Sequence, residues 1–217
     1  MKSVAIFCAA SENIAPGYFE AAAEVGTMLG RLGATMVYGG ARFGLMEATA
    51  KAAKTAGAHV VGVVPDILVD RGRVSSLHDE QVGCRNLSER KDIMLERSDI
   101  HVALPGGVGT LDEIFHVMAA ATIGYHTKRV VLCNVNGYWN TLCAALEEMS
   151  QAGFVRGEID KYLVVANIPL FADVPFLPGV VQLTYVQNTG AAFSSFEGMR
   201  WLFVALFVVL TVLSFVL

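Results

Sequence analysis

The chain has 217 residues, 54% of them hydrophobic, and a formal net charge of −4. That length accommodates one α/β domain with a sizeable core plus a small appendage, and leaves no room for two full domains. An acidic balance with a sequence pI near 5.7 gives no basic footprint for nucleic acid, and four cysteines without C-x-x-C spacing read as buried free thiols of a reducing cytosol. From the N-terminus, SVAIFCAA reads as a first strand; Glu12, Asn13 and a helical pattern follow it, which argues against a signal peptide. A helix is expected over 18–32 with Gly33 as its stop, then the strand ATMVYGG, a helix over 45–56 stopped by Gly57, and the strand HVVGVVP. The charged stretch 66–79 reads as a surface loop. Beyond it come a helix over 88–97, the strand DIHVALPGG, a helix over 111–123, the strand KRVVLCNV and a helix over 139–151. The strands are continuously apolar rather than alternating, as in a parallel sheet covered on both faces. The order predicts a doubly wound, Rossmann-like α/β fold with helices on both faces.

In such sheets ligands bind beyond the carboxyl ends of the strands. Three of these ends carry unusual residues: Ala9-Ala10-Ser11, Tyr38-Gly39-Gly40 with Gly44 following, and Pro105-Gly106-Gly107-Val108-Gly109-Thr110. The stretch GGARFG has Walker-like glycine spacing, but Leu45-Met46 stands where Lys-Ser/Thr is needed, so it is not an NTPase loop. Asp112 likewise occupies the last glycine's place in a G-x-G-x-x-G fingerprint. What remains is a set of backbone N–H groups bared by glycines at a helix N-terminus, which suits a single phosphate. Thr110-Leu111-Asp112-Glu113 taken alone reads as a capping box, with Thr110 as N-cap and Glu113 reaching back to it. A capping box needs no Pro-Gly-Gly-x-Gly before it, whereas close approach of a phosphate does need small residues. Ser88 reads as the N-cap of the preceding helix. Arg90 and Lys91 then stand on the helix that leads into the strand ending at Pro105, where a cation reaches the same crevice. The five histidines lack metal-ligand spacing, so no metal is expected. Met118, Ala119, Ala120, Ala121 and Ile123 read as core or subunit interface.

The pair ERKDIM and PGGVGTLDE resembles the R-K-x-x-M and P-G-G-x-G-T-x-x-E signatures of the Lonely-guy family, cytokinin riboside 5′-monophosphate phosphoribohydrolases often labelled lysine decarboxylases. The resemblance spans residues 3–166 and includes VYGG with GLM. It implies a homodimer acting on a nucleoside 5′-monophosphate, with Arg90 and Glu113 as the catalytic pair. Gly106, Gly107, Gly109 and Thr110 would then grip the 5′-phosphate with Lys91 beside them, while Ser11 and Gly40 line the pocket. Ala9-Ala10-Ser11 departs from the Gly-Ser-Ser of many members. Breaking an N-glycosidic bond builds positive charge on the ribose, which a carboxylate such as Glu113 stabilises while orienting water. Lysine decarboxylation would call for pyridoxal phosphate, and no lysine here has a recognisable Schiff-base context; no cofactor is expected. A nucleotide-binding module without turnover remains the alternative.

The text changes after Ala166. Leu183 to Phe193 resembles the L-x-Y-x-x-N-x-G-A-A-F signature of signal peptidase II, with Asn188, Gly190, Ala192 and Phe193 matching. The regions bearing that family's two catalytic aspartates are missing, so peptidase activity is not implied. The expected division is a phosphoribohydrolase domain over 1–173 and a signal-peptidase-II-like segment over 174–217. Residues 201–217, WLFVALFVVLTVLSFVL, are uncharged and lift the mean hydropathy of the chain to +0.50. As a helix they would span about 25 Å against a hydrocarbon core of about 30 Å, a marginal membrane anchor on a cytoplasmic domain.

Overall fold

The computed structural model describes residues 2–168, 173–177 and 181–184. Seven parallel strands form one sheet in the order β4-β3-β2-β1-β5-β6-β7. The strands are β1 Ser3–Phe7, β2 Thr35–Tyr38, β3 His59–Pro65, β4 Glu80–Cys84, β5 Ile100–Ala103, β6 Val130–Val135 and β7 Leu163–Ile168. Between them run α1 Pro16–Arg31, α2 Gly44–Thr55, α3 Asp66–Asp70, α4 Leu87–Glu96, α5 Val108–Thr122 and α6 Asn140–Gln151, and a 3-10 turn at Ile159–Lys161 precedes β7. The chain winds from β1 toward β3 in one direction and from β5 toward β7 in the other. Right-handed crossovers therefore put the two sets of helices on opposite faces, and the reversal falls between β1 and β5.

The central strands are apolar on both sides because both sides are covered. Phe7, Val37 and Ala103 pack with Met94 of α4, Ile114 of α5 and Leu146 of α6 in one core. On the other face α1 and α2 lie against each other through small residues: a methyl group added to Gly26 would overlap Thr49 O and sit 2.9 Å from Ala53 N. Two fold expectations are corrected. The 66–79 stretch contains α3, and Val74 forms an antiparallel bridge with Ala41. The cap of α4 is Asn86, whose side chain accepts from the N–H groups of Ser88 and Glu89 at 3.0 Å each, so Ser88 is already inside the helix.

His101 of β5 is an exception within the core. Its ring is fully buried and stacks on Phe7 at 5.9 Å, and neither nitrogen has a hydrogen-bond partner among the described residues. Burial pushes its pKa down to about 3, helped by the charges of Lys128 and His126.

The chain divides into two compact units, Met1–Leu170 and Phe171–Leu217. In the second, β8 Asp173–Leu177 pairs antiparallel with β9 Val181–Thr184. The signal-peptidase motif residues from Asn188 onward and the apolar run 201–217 lie outside the described residues. Among the described residues no helix is long and apolar enough to cross a membrane.

Candidate active site

A cavity of about 360 Å³ opens where β1 and β5 part company. Backbone bonds hold its rim together: Leu104 N donates to Phe7 O at 2.9 Å, Ala9 N to Pro105 O at 3.1 Å, and Leu45 N to Ala9 O at 2.9 Å. Gly44 makes the last junction possible. Its φ is +61°, and a Cβ there would lie 2.5 Å from Ser11 O.

Arg90, Lys91, Asp112 and Glu113 line the cavity and supply its charge. Ser11, Gly107, Gly109 and Thr110 also line it. The helix α5 begins at Val108 with Gly107 as N-cap and no side-chain cap, three residues before the sequence-based start. That overturns the capping-box reading: Thr110 sits inside the first turn and Glu113 more than a turn along the helix, out of reach of the N-terminus. Gly107 and Gly109 have nothing within 4 Å of where a Cβ would be, so packing does not require them to be glycine. What they leave bare are the first N–H groups of α5, at the positive end of its dipole.

Gly40 and Gly106 stand behind the lining. Gly40 has a φ of +70° and its Cα faces Val64, while its carbonyl accepts from Ser75 N at 2.8 Å. Gly106 is pressed against the Thr110 side chain, and its carbonyl accepts from Tyr138 Oη at 2.9 Å. Both shape the loops rather than the pocket wall. Cys8, Met46 and Leu87 line the cavity without having been singled out. Their apolar character marks them only as core or surface hydrophobes, and nothing in the local pattern points to a site.

Two charges share this interior. Arg90 Nη1 lies 3.7 Å from Glu113 Oε1, with only 11% and 6% of their side chains exposed. Arg90 Nε donates to Val63 O at 3.2 Å, which holds the guanidinium plane. Burial pushes the Glu113 pKa up to about 7; Arg90 opposes this, the Asp112 charge adds to it, and Lys91 opposes it more weakly. Burial therefore outweighs the arginine, because the pair is too far apart for a charge-assisted hydrogen bond. Lys91 Nζ is held 2.6 Å from Asp112 Oδ1 at the mouth. The Cys8 thiol is raised well above its usual range, first by burial and then by the Glu113 charge, so it is a neutral wall group and not a thiolate nucleophile. Among the described residues no three His, Cys, Asp or Glu side chains come together as a metal cage.

A carboxyl poised near neutrality beside a buried guanidinium, facing an uncapped helix start, is equipment for a phosphorylated substrate that develops positive charge. Comparison with known proteins agrees with this. Residues 46–170, more than half of the chain, match the family model described as "Possible lysine decarboxylase". The cytokinin riboside 5′-monophosphate phosphoribohydrolase LOG1 of Arabidopsis thaliana is 37% identical over 165 residues, covering 76% of this chain and 78% of the relative. This chain belongs to the Lonely-guy family. A second relative from the same plant, the phosphoribohydrolase LOG5, is 37% identical over 155 residues, covering 71% of this chain and 68% of its own length. The Lonely-guy frame also superposes on the molybdenum cofactor carrier protein of Chlamydomonas reinhardtii, with a TM-score of 0.57 and 23% identity over 76% of this chain and 89% of that one. The molybdenum cofactor binding protein of Rippkaea orientalis gives 0.55 and 20% over 77% and 90%. At these identities the shared property is the fold. Residues 152–217 separately match a model described as signal peptidase (SPase) II, overlapping the first match through residue 170.

Proposed function

We propose that this Lonely-guy protein hydrolyses the N-glycosidic bond of a nucleoside 5′-monophosphate, cytokinin-type or purine, releasing the free base and ribose 5-phosphate. The observation that carries this reading is the buried Arg90–Glu113 pair, which shares one cavity with the uncapped start of α5. The 5′-phosphate sits on the N–H groups bared by Gly107 and Gly109, where no Cβ intrudes. That anchors the ribose with its C1 carbon toward Glu113. As the C–N bond breaks, its electrons leave with the base and the sugar becomes an oxocarbenium-like cation. The Glu113 carboxylate faces that charge and takes a proton from the attacking water, whose oxygen bonds to C1, while the departing base gains a proton. Arg90 favours the ionised form of this carboxyl against the larger effect of burial and fixes its position. The pyridoxal chemistry of a lysine decarboxylase would begin at a free lysine amine, whereas Lys91 at the cavity is engaged with Asp112.

The test is incubation of the purified chain with adenosine 5′-monophosphate and N6-substituted analogues, following free base and ribose 5-phosphate in equal amounts. Binding without base release from any of them would overturn the hydrolase reading in favour of a nucleotide-binding module. In the same assay Gly107→Val is expected to weaken 5′-monophosphate binding about tenfold or more, the scale of a lost charge-assisted hydrogen bond, and to leave nucleoside binding nearly unchanged. Equal losses for both ligands would move the phosphate elsewhere.

The working form is a cytoplasmic homodimer. Support comes from apolar side chains left on the outer face and end of α5: Phe115 is 41% exposed, Ile123 59% and the adjoining Tyr125 81%. Residues 1–173 form the phosphoribohydrolase domain and 174–217 an appended segment that tethers it to membranes through 201–217. Deleting 174–217 is therefore expected to move the protein from the membrane pellet to the supernatant with base release unchanged. Loss of folding on deletion would show that the segment belongs to the domain.

A further inference from the structure

Gly39 directly follows β2 within the stretch VYGG, and its role is not in the cavity wall. A methyl group built on its Cα would overlap Nη2 of Arg90 outright and lie 2.5 Å from Cζ. The Nη2 end of the guanidinium thus fills the space that a side chain at 39 would take. Its other edges are occupied as well, by Val63 O at Nε and by Glu113 at Nη1. Nη2 is buried and has no hydrogen-bond partner among the described residues, so the contact with Gly39 is one of shape and not of bonding. Gly39 lies in the left half of the sheet, after β2, whereas Arg90 comes from α4, more than fifty residues later in sequence.

We propose that Gly39 is a positioning residue for the hydrolysis assigned above: its missing side chain forms the seat that fixes the Arg90 guanidinium beside Glu113. The inference rests on the functional reading for its effect on turnover, but the seat itself is a statement about Arg90 and Glu113. The two atoms that a Cβ would strike belong to the far end of a long side chain and not to backbone. A side chain at 39 is therefore relieved by moving the guanidinium, and the fold is spared while the site is not. A guanidinium pushed off its seat loses Val63 O and shifts relative to Glu113 by an ångström or more, a displacement large enough to cost about a hundredfold in rate where geometry is critical. It also weakens the one strong influence holding the Glu113 carboxyl in its ionised form.

The decisive experiment compares wild type, Gly39→Ala, Arg90→Lys and the double variant in the full chain, by base release and by carbon NMR titration of the Glu113 carboxyl. Gly39→Ala is expected to keep its melting temperature within a few degrees, to lose about tenfold to a hundredfold in kcat with a smaller change in KM, and to titrate Glu113 at higher pH than wild type. Lysine has no Nη2 to collide with a methyl group. The two substitutions should thus be strongly non-additive, with Arg90→Lys costing far less in the Gly39→Ala background than alone. Additive losses, or a Gly39→Ala protein whose Glu113 titrates as in wild type, would overturn the seat. If Gly39→Ala does not fold, the effect lies in the backbone and the proposal is wrong. If the wild type releases no base, the functional reading fails, and the titration still decides whether Gly39 places Arg90.

Discussion

Glu113→Gln is expected to reduce base release by about two orders of magnitude or more, the scale for removing one preorganised electrostatic group, while leaving 5′-monophosphate binding almost intact. Glutamine keeps the shape of the side chain and removes its charge. No capping role complicates the substitution, because α5 starts at Val108 and Glu113 is more than a turn inside it. Stability should move in the opposite direction from activity. The folded-state pKa of Glu113 is raised to about 7 against an ordinary 4.5. Between those values the native protein holds a proton that the unfolded chain has released, so wild-type stability falls as pH rises through this window and stays reduced above it. The variant has no such loss, and thermal unfolding at pH 8 should show it more stable than wild type. Wild-type turnover should rise with pH along a limb with its midpoint near 7, and that limb should disappear from whatever activity the variant retains. Near-normal base release by Glu113→Gln would sink the catalytic assignment.

His101→Leu is expected to give the largest gain in acid resistance of any single substitution in the core. The ring has a pKa near 3 in the folded protein and an ordinary value of 6.5 when exposed. From pH 6.5 downward the unfolded chain takes up a proton that the native state refuses, so stability is complete above that value and drains away toward pH 3, by about 1.4 kcal/mol per pH unit across the window. Leucine fills a similar volume and carries no proton. It also removes two buried nitrogens without partners, worth about 1–3 kcal/mol at any pH. Urea unfolding at pH 7 and pH 4 measures both effects. Asp79 and Asp99, whose backbone hydrogen bonds hold their pKa values low, lose stability in acid in both proteins, so the difference isolates His101. An unchanged gap between the two pH values would show that the ring is solvated or paired in the native state.

The strands that could be read in the sequence are the interior ones. Continuous apolar runs identified β1, β2, β3, β5 and β6, which have neighbours on both sides and helices on both faces. The two strands of the seven-stranded sheet that escaped, EQVGC and LVVANI, are its edge strands β4 and β7, half exposed and alternating in burial. An edge strand buries less and so writes a weaker hydrophobic signature, and β4 also follows a charged stretch that masks it. Helix starts were less legible than helix bodies. Thr110 and Ser88 have the right chemistry for caps, but Gly107 and Asn86 hold the positions, and only backbone geometry separates a cap from a residue just inside. For the site, Arg90, Glu113 and the glycine loop were legible as motifs with a chemical purpose. The seat at Gly39 was not, since the atoms it accommodates come from a distant part of the chain.

The position of β1 has a consequence for how the protein comes into being. It leaves the ribosome before the other six strands of this sheet and lies at the middle of it, with β2 on one flank and β5 on the other. Ser3 meets Asp99 across a separation of 96 residues. At a synthesis rate of about 5–20 residues per second, the second flank of SVAIF stays without its neighbour for several seconds, presenting an apolar edge to every other nascent chain nearby. A ribosome that pauses in α4 therefore holds a half-sheet whose open edge is its most hydrophobic strand. Slow codons would be better tolerated after β5 than before it.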